Sequence, residues 1–175
     1  MKDSVATLLQ EDHDSLGRLL VELDGELVKH NPQRAFELLD LFWARLAIHI
    51  RGENLRLFPA LVDVSVEQCG KDAPTTEEIK DVLTRLRDDH NFFMKELSLV
   101  IKEMRTMVNR NSVSPEESEN VRRQLQLVRK RLELHNRLEE EQVYFWPSLL
   151  LDEPSLTTLA DQLQHELHNL PQRFS

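Results

Sequence analysis

The sequence predicts an all-α fold, an antiparallel up-down-up-down four-helix bundle followed by a short fifth helix. Three observations support this expectation. Apolar residues recur at spacings of three and four along four long stretches. Glycine is scarce, with 4 in 175 residues, and the β-branched runs that mark strands are few. Short breakers, mostly proline with asparagine or serine, separate one stretch from the next.

The first helix is expected over about 5–29, on a stripe of Leu9, His13, Leu16, Leu20, Leu23 and Leu27. It stops before "HNPQ", where Asn31 can cap the second helix and Pro32 can occupy its first turn. The second helix carries Ala35, Leu39, Phe42, Leu46, His49 and Glu53 and runs into "LFPAL". There Pro59 is expected to kink or stop it. A looser segment follows, "VSVEQCGKDAPTTEE", and the third helix begins near Thr75 or Thr76 and continues to about Asn109. Its stripe is Val82, Leu86, His90, Phe93, Leu97, Val100 and Met104. In "NRNSVSPEESE", Ser114 reads as an N-cap, Pro115 as the first helical residue and Glu117 as the other half of a capping box. The fourth helix bears Val121, Leu125, Val128, Leu132, His135 and Glu139, and Pro147 ends or bends it. A fifth segment, about 153–170, repeats leucine at 156, 159, 163, 167 and 170.

The chain also repeats itself. His13, a break, His49-x-x-x-Glu53 and Phe58-Pro59 are followed by His90, a break, His135-x-x-x-Glu139 and Trp146-Pro147. The proline follows sooner in the first half than in the second. A two-helix unit used twice accounts for this order.

Each of the first four helical stripes carries one histidine, and two of them add a glutamate. Residues four apart on a helix differ by roughly 40° around its axis, so His49 projects with Glu53 and His135 with Glu139. Lysine and arginine are absent from the stripe positions, so two carboxylates enter the core without a fixed cation. A buried unpaired carboxylate is very costly. Imidazolium or a bound metal can neutralise it. His13, His49, Glu53, His90, His135 and Glu139 offer four imidazoles and two carboxylates. Such a set suits iron, with manganese or zinc as substitutes. So few protein ligands for two ions call for bridging carboxylates and an oxo or hydroxo bridge, and leave positions open to small molecules. In "HNRLEEEQ" only Glu139 shares the face of His135, while Glu140 turns by roughly 100° to a flank and is kept as a supporting residue.

The other residues are read as structural. His30 sits at a helix end, His165 and His168 lie off the leucine stripe, and Cys69 lies in a loop. Trp43, Phe58, Phe92, Phe93, Phe145 and Trp146 are read as packing, some of them walling the site. The formal net charge of -9 argues against nucleic acid and anionic membrane as partners. One cysteine excludes an internal disulfide. The first residues lack a signal-peptide pattern and no apolar run reaches a membrane span, so a cytoplasmic location is expected.

The set "EDHD" around His13, "HIRGENLRLFP" from His49, "DDHNFF" around His90 and "HNRLEEE" from His135 resembles the hemerythrin-like domain of HHE cation-binding type. The resemblance spans about 5–150 and implies one such domain over the chain, with the fifth helix appended. It implies a non-haem di-iron centre with the two glutamates bridging the irons. Oxygen-carrying hemerythrins have a further histidine one turn after the first on the third helix, and here that residue is Met94. In this respect the chain is more similar to the bacterial hemerythrin-like and iron–sulfur-repair group. The expected function is binding or sensing of O₂, NO or peroxide at the centre. The alternatives are a redox enzyme acting on NO or peroxide, an iron donor for iron–sulfur repair, and an interaction module with a structural metal.

Overall fold

The computed structural model describes residues 4–64, 70–110 and 112–174. These residues form helices and turns, with no strand among them. Cys69 and Asn111 lie outside the described residues, and with Cys69 lies the reading of it as an incidental loop residue.

Helix α1, Val5–Val28, starts on Ser4, whose hydroxyl accepts from the Thr7 backbone N–H. It ends in the turn expected of a helix C-terminus. His30 takes a left-handed backbone (φ 55°), its N–H reaches the Leu27 carbonyl, and the Asn31 N–H reaches Glu26. The same Asn31 then caps α2, Pro32–Gly52, by accepting from the Arg34 N–H, with Pro32 in the first turn. One residue thus closes one helix and opens the next, which makes the connection short.

Pro59 was expected to kink or stop the second helix. It does neither abruptly. A π-helical turn, Glu53–Leu57, intervenes, and helical geometry resumes in α3, Phe58–Val62. Proline has no N–H and its ring clashes with the carbonyl four residues earlier. Widening the preceding turn by one residue, with the Phe58 N–H reaching back to Glu53, accommodates the ring without ending the helix.

Helix α4, Thr76–Arg110, presents Ile79, Leu83, Leu86, His90, Phe93, Leu97 and Met104 inward. Leu83 is buried where the stripe reading placed its half-buried neighbour Val82. Helix α5, Pro115–Glu141, begins with the expected capping box of Ser114 and Glu117. It stops at Gln142, earlier than Pro147 alone requires. A 3₁₀ turn, Val143–Phe145, and short α6, Trp146–Leu150, follow. Helix α7, Glu153–His168, is capped by Asp152 and packs across α1, α2 and the π turn. It ends two residues short of Leu170, the last leucine of its predicted stripe.

The bundle has two apolar clusters. One gathers Leu16, Leu23, Phe42, Leu46, Phe93, Leu97 and Leu132. The other gathers Leu9, Leu57, Phe58, Leu86, Tyr144, Trp146 and Leu163. Each long helix crosses from one cluster to the other at its histidine. His13 stands between Leu9 and Leu16, His49 between Leu46 and Leu57, His90 between Leu86 and Phe93, and His135 between Leu132 and Val143. The histidines therefore define a polar layer sealed above and below by hydrocarbon.

Candidate metal centre

The structure brings all six predicted side chains into that layer. Glu53 and Glu139 are fully buried, and His13, His49, His90 and His135 are at most 5% exposed. Their ligand atoms form two groups. His13, His49, Glu53 and Glu139 make one, and His90, His135, Glu53 and Glu139 make the other. Both glutamates belong to both groups. In each group the donor atoms all lie within 4.8 Å of one another.

Three of the four histidines are fixed from behind by an acid. His49 Nδ1 donates to Asp12 at 2.9 Å, His135 Nδ1 to Asp89 at 3.1 Å, and His13 Nδ1 to Glu140 at 2.7 Å. An ionised carboxylate only accepts, so a proton sits on each Nδ1, and the Nε2 turned inward offers a lone pair whenever the ring is neutral. Such outer partners fix tautomer and orientation in metal-binding histidines. Glu140, expected on the flank, serves there. Asp12 and Asp89 are held in turn by Arg45 at 2.8 Å and Arg131 at 2.6 Å. Each arginine lies four residues before the histidine that its acid supports. The repeat therefore extends to Arg45-x-x-x-His49-x-x-x-Glu53 and Arg131-x-x-x-His135-x-x-x-Glu139.

The inner atoms crowd one another in a way that calls for positive charge. His13 Nε2 and His49 Nε2 are 3.1 Å apart, two lone pairs face to face when both rings are neutral. Glu53 Oε2, Glu139 Oε1 and His90 Nε2 are buried with no hydrogen-bond partner. Yet His90 Nε2 is only 3.2 Å from Glu53 Oε2. Burial pushes the Glu53 carboxyl upward, but the charge of His49 and hydrogen bonds from His49 and His90 hold it well below the usual range. Burial likewise lowers His49, and Glu53 together with Asp12 outweighs it and holds the ring well above the ordinary imidazole value. Two buried carboxylates require cations, and these donors fit a metal ion as they fit protons.

Aromatic rings close the layer. Phe58 stacks on His90 at 5.8 Å with planes 2° apart, and Phe93 meets His135 edge-on at 5.1 Å. Phe145 points elsewhere and is half exposed. His30, His165 and His168 take no part in either group. Three participants escaped the sequence reading. Asp12 and Asp89 immediately precede His13 and His90, a shared neighbour that the repeat could have revealed. Tyr144 is the third. It follows Glu139 by five residues, as Phe58 follows Glu53. Its ring lies 5.5 Å from His13, as that of Phe58 lies 5.8 Å from His90. Phe58 therefore corresponds in space to Tyr144. Along the sequence, the two Phe/Trp–Pro pairs align Phe58 with Trp146 instead.

A helical bundle with a buried cluster of histidine and glutamate able to hold metal is the architecture of a cation-binding domain. The chain belongs to the hemerythrin family, whose model of the hemerythrin HHE cation binding domain matches residues 4–147. No curated protein and no solved structure matches the chain. The family match ends just before α7, so that helix lies outside the family pattern. No helix among the described residues is long and apolar enough to cross a membrane.

Proposed function

We propose that the protein binds two iron ions, one between His13 and His49 and one between His90 and His135, with Glu53 and Glu139 shared, and that it binds or senses O₂, NO or peroxide there. The sharing of both glutamates by the two donor groups is the observation that carries this reading. An up-down-up-down order of α1, α2, α4 and α5 belongs to the same proposal, supported by the short α1–α2 and α4–α5 connections.

Iron in a mixed nitrogen and oxygen set supplies open positions and exchange between the ferrous and ferric states. The chain supplies everything else. Asp12, Asp89 and Glu140 keep protons on the outer nitrogens, so that the inner ones stay free as donors. Phe58, Phe93 and the two leucine-rich clusters exclude water from the layer. Size selection follows from burial, because only a small molecule reaches donors that expose almost no surface. Tyr144 helps to line a surface cavity of about 400 Å³ between the start of α1, the turn before α6 and α7.

Protein produced with ample iron should contain about two irons per chain, and Glu53→Gln should lose most of both because its carboxylate is shared. Addition of NO to the anaerobic reduced protein should change its absorption spectrum. Wild-type protein with less than about one iron per chain, unaltered by Glu53→Gln, overturns the reading.

A further inference from the structure

Tyr144 is buried to 2% exposure, and its hydroxyl lies among the donor atoms of one metal position and not the other. The oxygen is 2.8 Å from Glu53 Oε1, 3.0 Å from His13 Nε2, 3.3 Å from Glu139 Oε2 and 3.4 Å from His49 Nε2. One phenol proton serves one acceptor. When both imidazoles are neutral, the remaining neighbours are electron-rich atoms facing an electron-rich oxygen, an arrangement that hydrogen bonding alone leaves unsatisfied.

The distances have a simple common origin. Metal–ligand bonds of about 2.1 Å at right angles set neighbouring donor atoms about 3 Å apart. His13 Nε2 is 3.1 Å from His49 Nε2 and 3.4 Å from Glu139 Oε2, and His49 Nε2 is 3.4 Å from Glu53 Oε1. The Tyr144 oxygen lies within 3.4 Å of all four of those atoms, the spacing of a further donor around one shared ion.

We propose that Tyr144 is a fifth protein ligand to the metal held by His13, His49, Glu53 and Glu139. The assignment rests on the two-iron reading above. On ligation the phenol O–H bond breaks, the proton passes to bulk buffer, and an oxygen lone pair enters the metal shell, with no change of oxidation state. A bound cation promotes this loss by its own charge. The matching position in the other half is Phe58, which has no oxygen to give. The repeat thus builds two unlike positions, with five protein ligands at one and four at the other. The more open one is the position of His90 and His135.

Tyr144 is the chain's one tyrosine, so any tyrosinate signal from the protein comes from it. The test is visible absorption and resonance Raman spectroscopy of the ferric protein, with its iron content measured on the same sample. The expected result is a phenolate-to-iron charge-transfer band with enhanced tyrosine ring vibrations. Tyr144→Phe should keep its iron, because phenylalanine already fills the equivalent place at Phe58, and should lose both signals. Iron-loaded wild-type protein without tyrosinate vibrations overturns the ligand assignment and leaves the metal centre standing. Wild-type protein that binds no iron overturns the centre and the assignment together. If Tyr144→Phe does not fold, the wild-type spectrum decides alone.

Discussion

Replacing Asp89 by asparagine tests how the outer acids control the centre. Asp89 Oδ1 accepts from Arg131 Nε at 2.6 Å, and Oδ2 accepts from His135 Nδ1 at 3.1 Å. Asparagine offers one oxygen and one NH₂ in place of two acceptors. If its NH₂ faces His135, the ring must accept at Nδ1 and carry its proton on Nε2, where it points at Glu139 Oε1, 3.1 Å away, and ceases to be a ligand. If its NH₂ faces Arg131, two donors meet, at a cost of about 1–3 kcal/mol when neither can move. Arg131 can move, because its side chain is 42% exposed and also rests on the Phe92 ring at 4.2 Å. The second arrangement therefore wins. His135 keeps its tautomer and loses the negative charge behind it. Loss of such a partner lowers metal affinity about 10–100-fold, or roughly 1.4–2.7 kcal/mol. Chelator competition with ferrous iron under anaerobic conditions measures this, with Asp88→Asn on the exposed neighbour as control. An Asp89→Asn protein that folds normally and holds iron within about twofold of wild type would falsify the role given to the outer acid.

Two further outcomes concern stability. Glu166 takes hydrogen bonds from Arg56 and Arg51 and ties α7 to α2 and the π turn. Arg56 first, then Arg51, holds its carboxyl below the usual range. A carboxyl lowered on folding stabilises above its unfolded pKa, and that contribution disappears as pH falls through the folded value. Glu166→Gln should therefore cost roughly 1 kcal/mol in urea unfolding at pH 7, with the difference from wild type closing under strongly acidic conditions; a difference that grows on acidification would contradict the assignment. Phe42 is fully buried in the leucine cluster, two helical turns before His49 on the same face. Phe42→Ala should lower unfolding free energy by about 3–5 kcal/mol, and a loss below about 1 kcal/mol would mean that this cluster is not tightly packed.

The two halves of the centre are built from one plan and differ at two places. Behind His13 stands Glu140; the equivalent residue in the first half, one after Glu53, is Asn54. Both Asn54 Oδ1 and His90 Nδ1 are buried without partners. His90 is held instead by the stacked ring of Phe58. Three of the four imidazoles are thus backed by an acid and one by an aromatic face.

The sequence by itself determined the five longer helices, two of their caps and the six side chains of the polar layer. Helical periodicity is local, so the phase that placed Leu9, Leu16 and Leu23 inward placed His13 inward as well. The capping box at Ser114 and Glu117 and the cap at Asn31 were legible because each depends on residues within four positions. Tertiary structure decided what stands around those side chains. Asp12 and Asp89 lie just off the stripe, and nothing along α1 or α4 says that each reaches a histidine on the next helix. Glu166 is buried only because two arginines from α2 and the π turn meet it, contacts separated by more than a hundred residues. Tyr144 lies beyond the end of α5, where the helical phase no longer predicts direction. Its place among four donor atoms depends on how the turn after Gln142 folds back over the layer, and periodicity carries no information past a helix end.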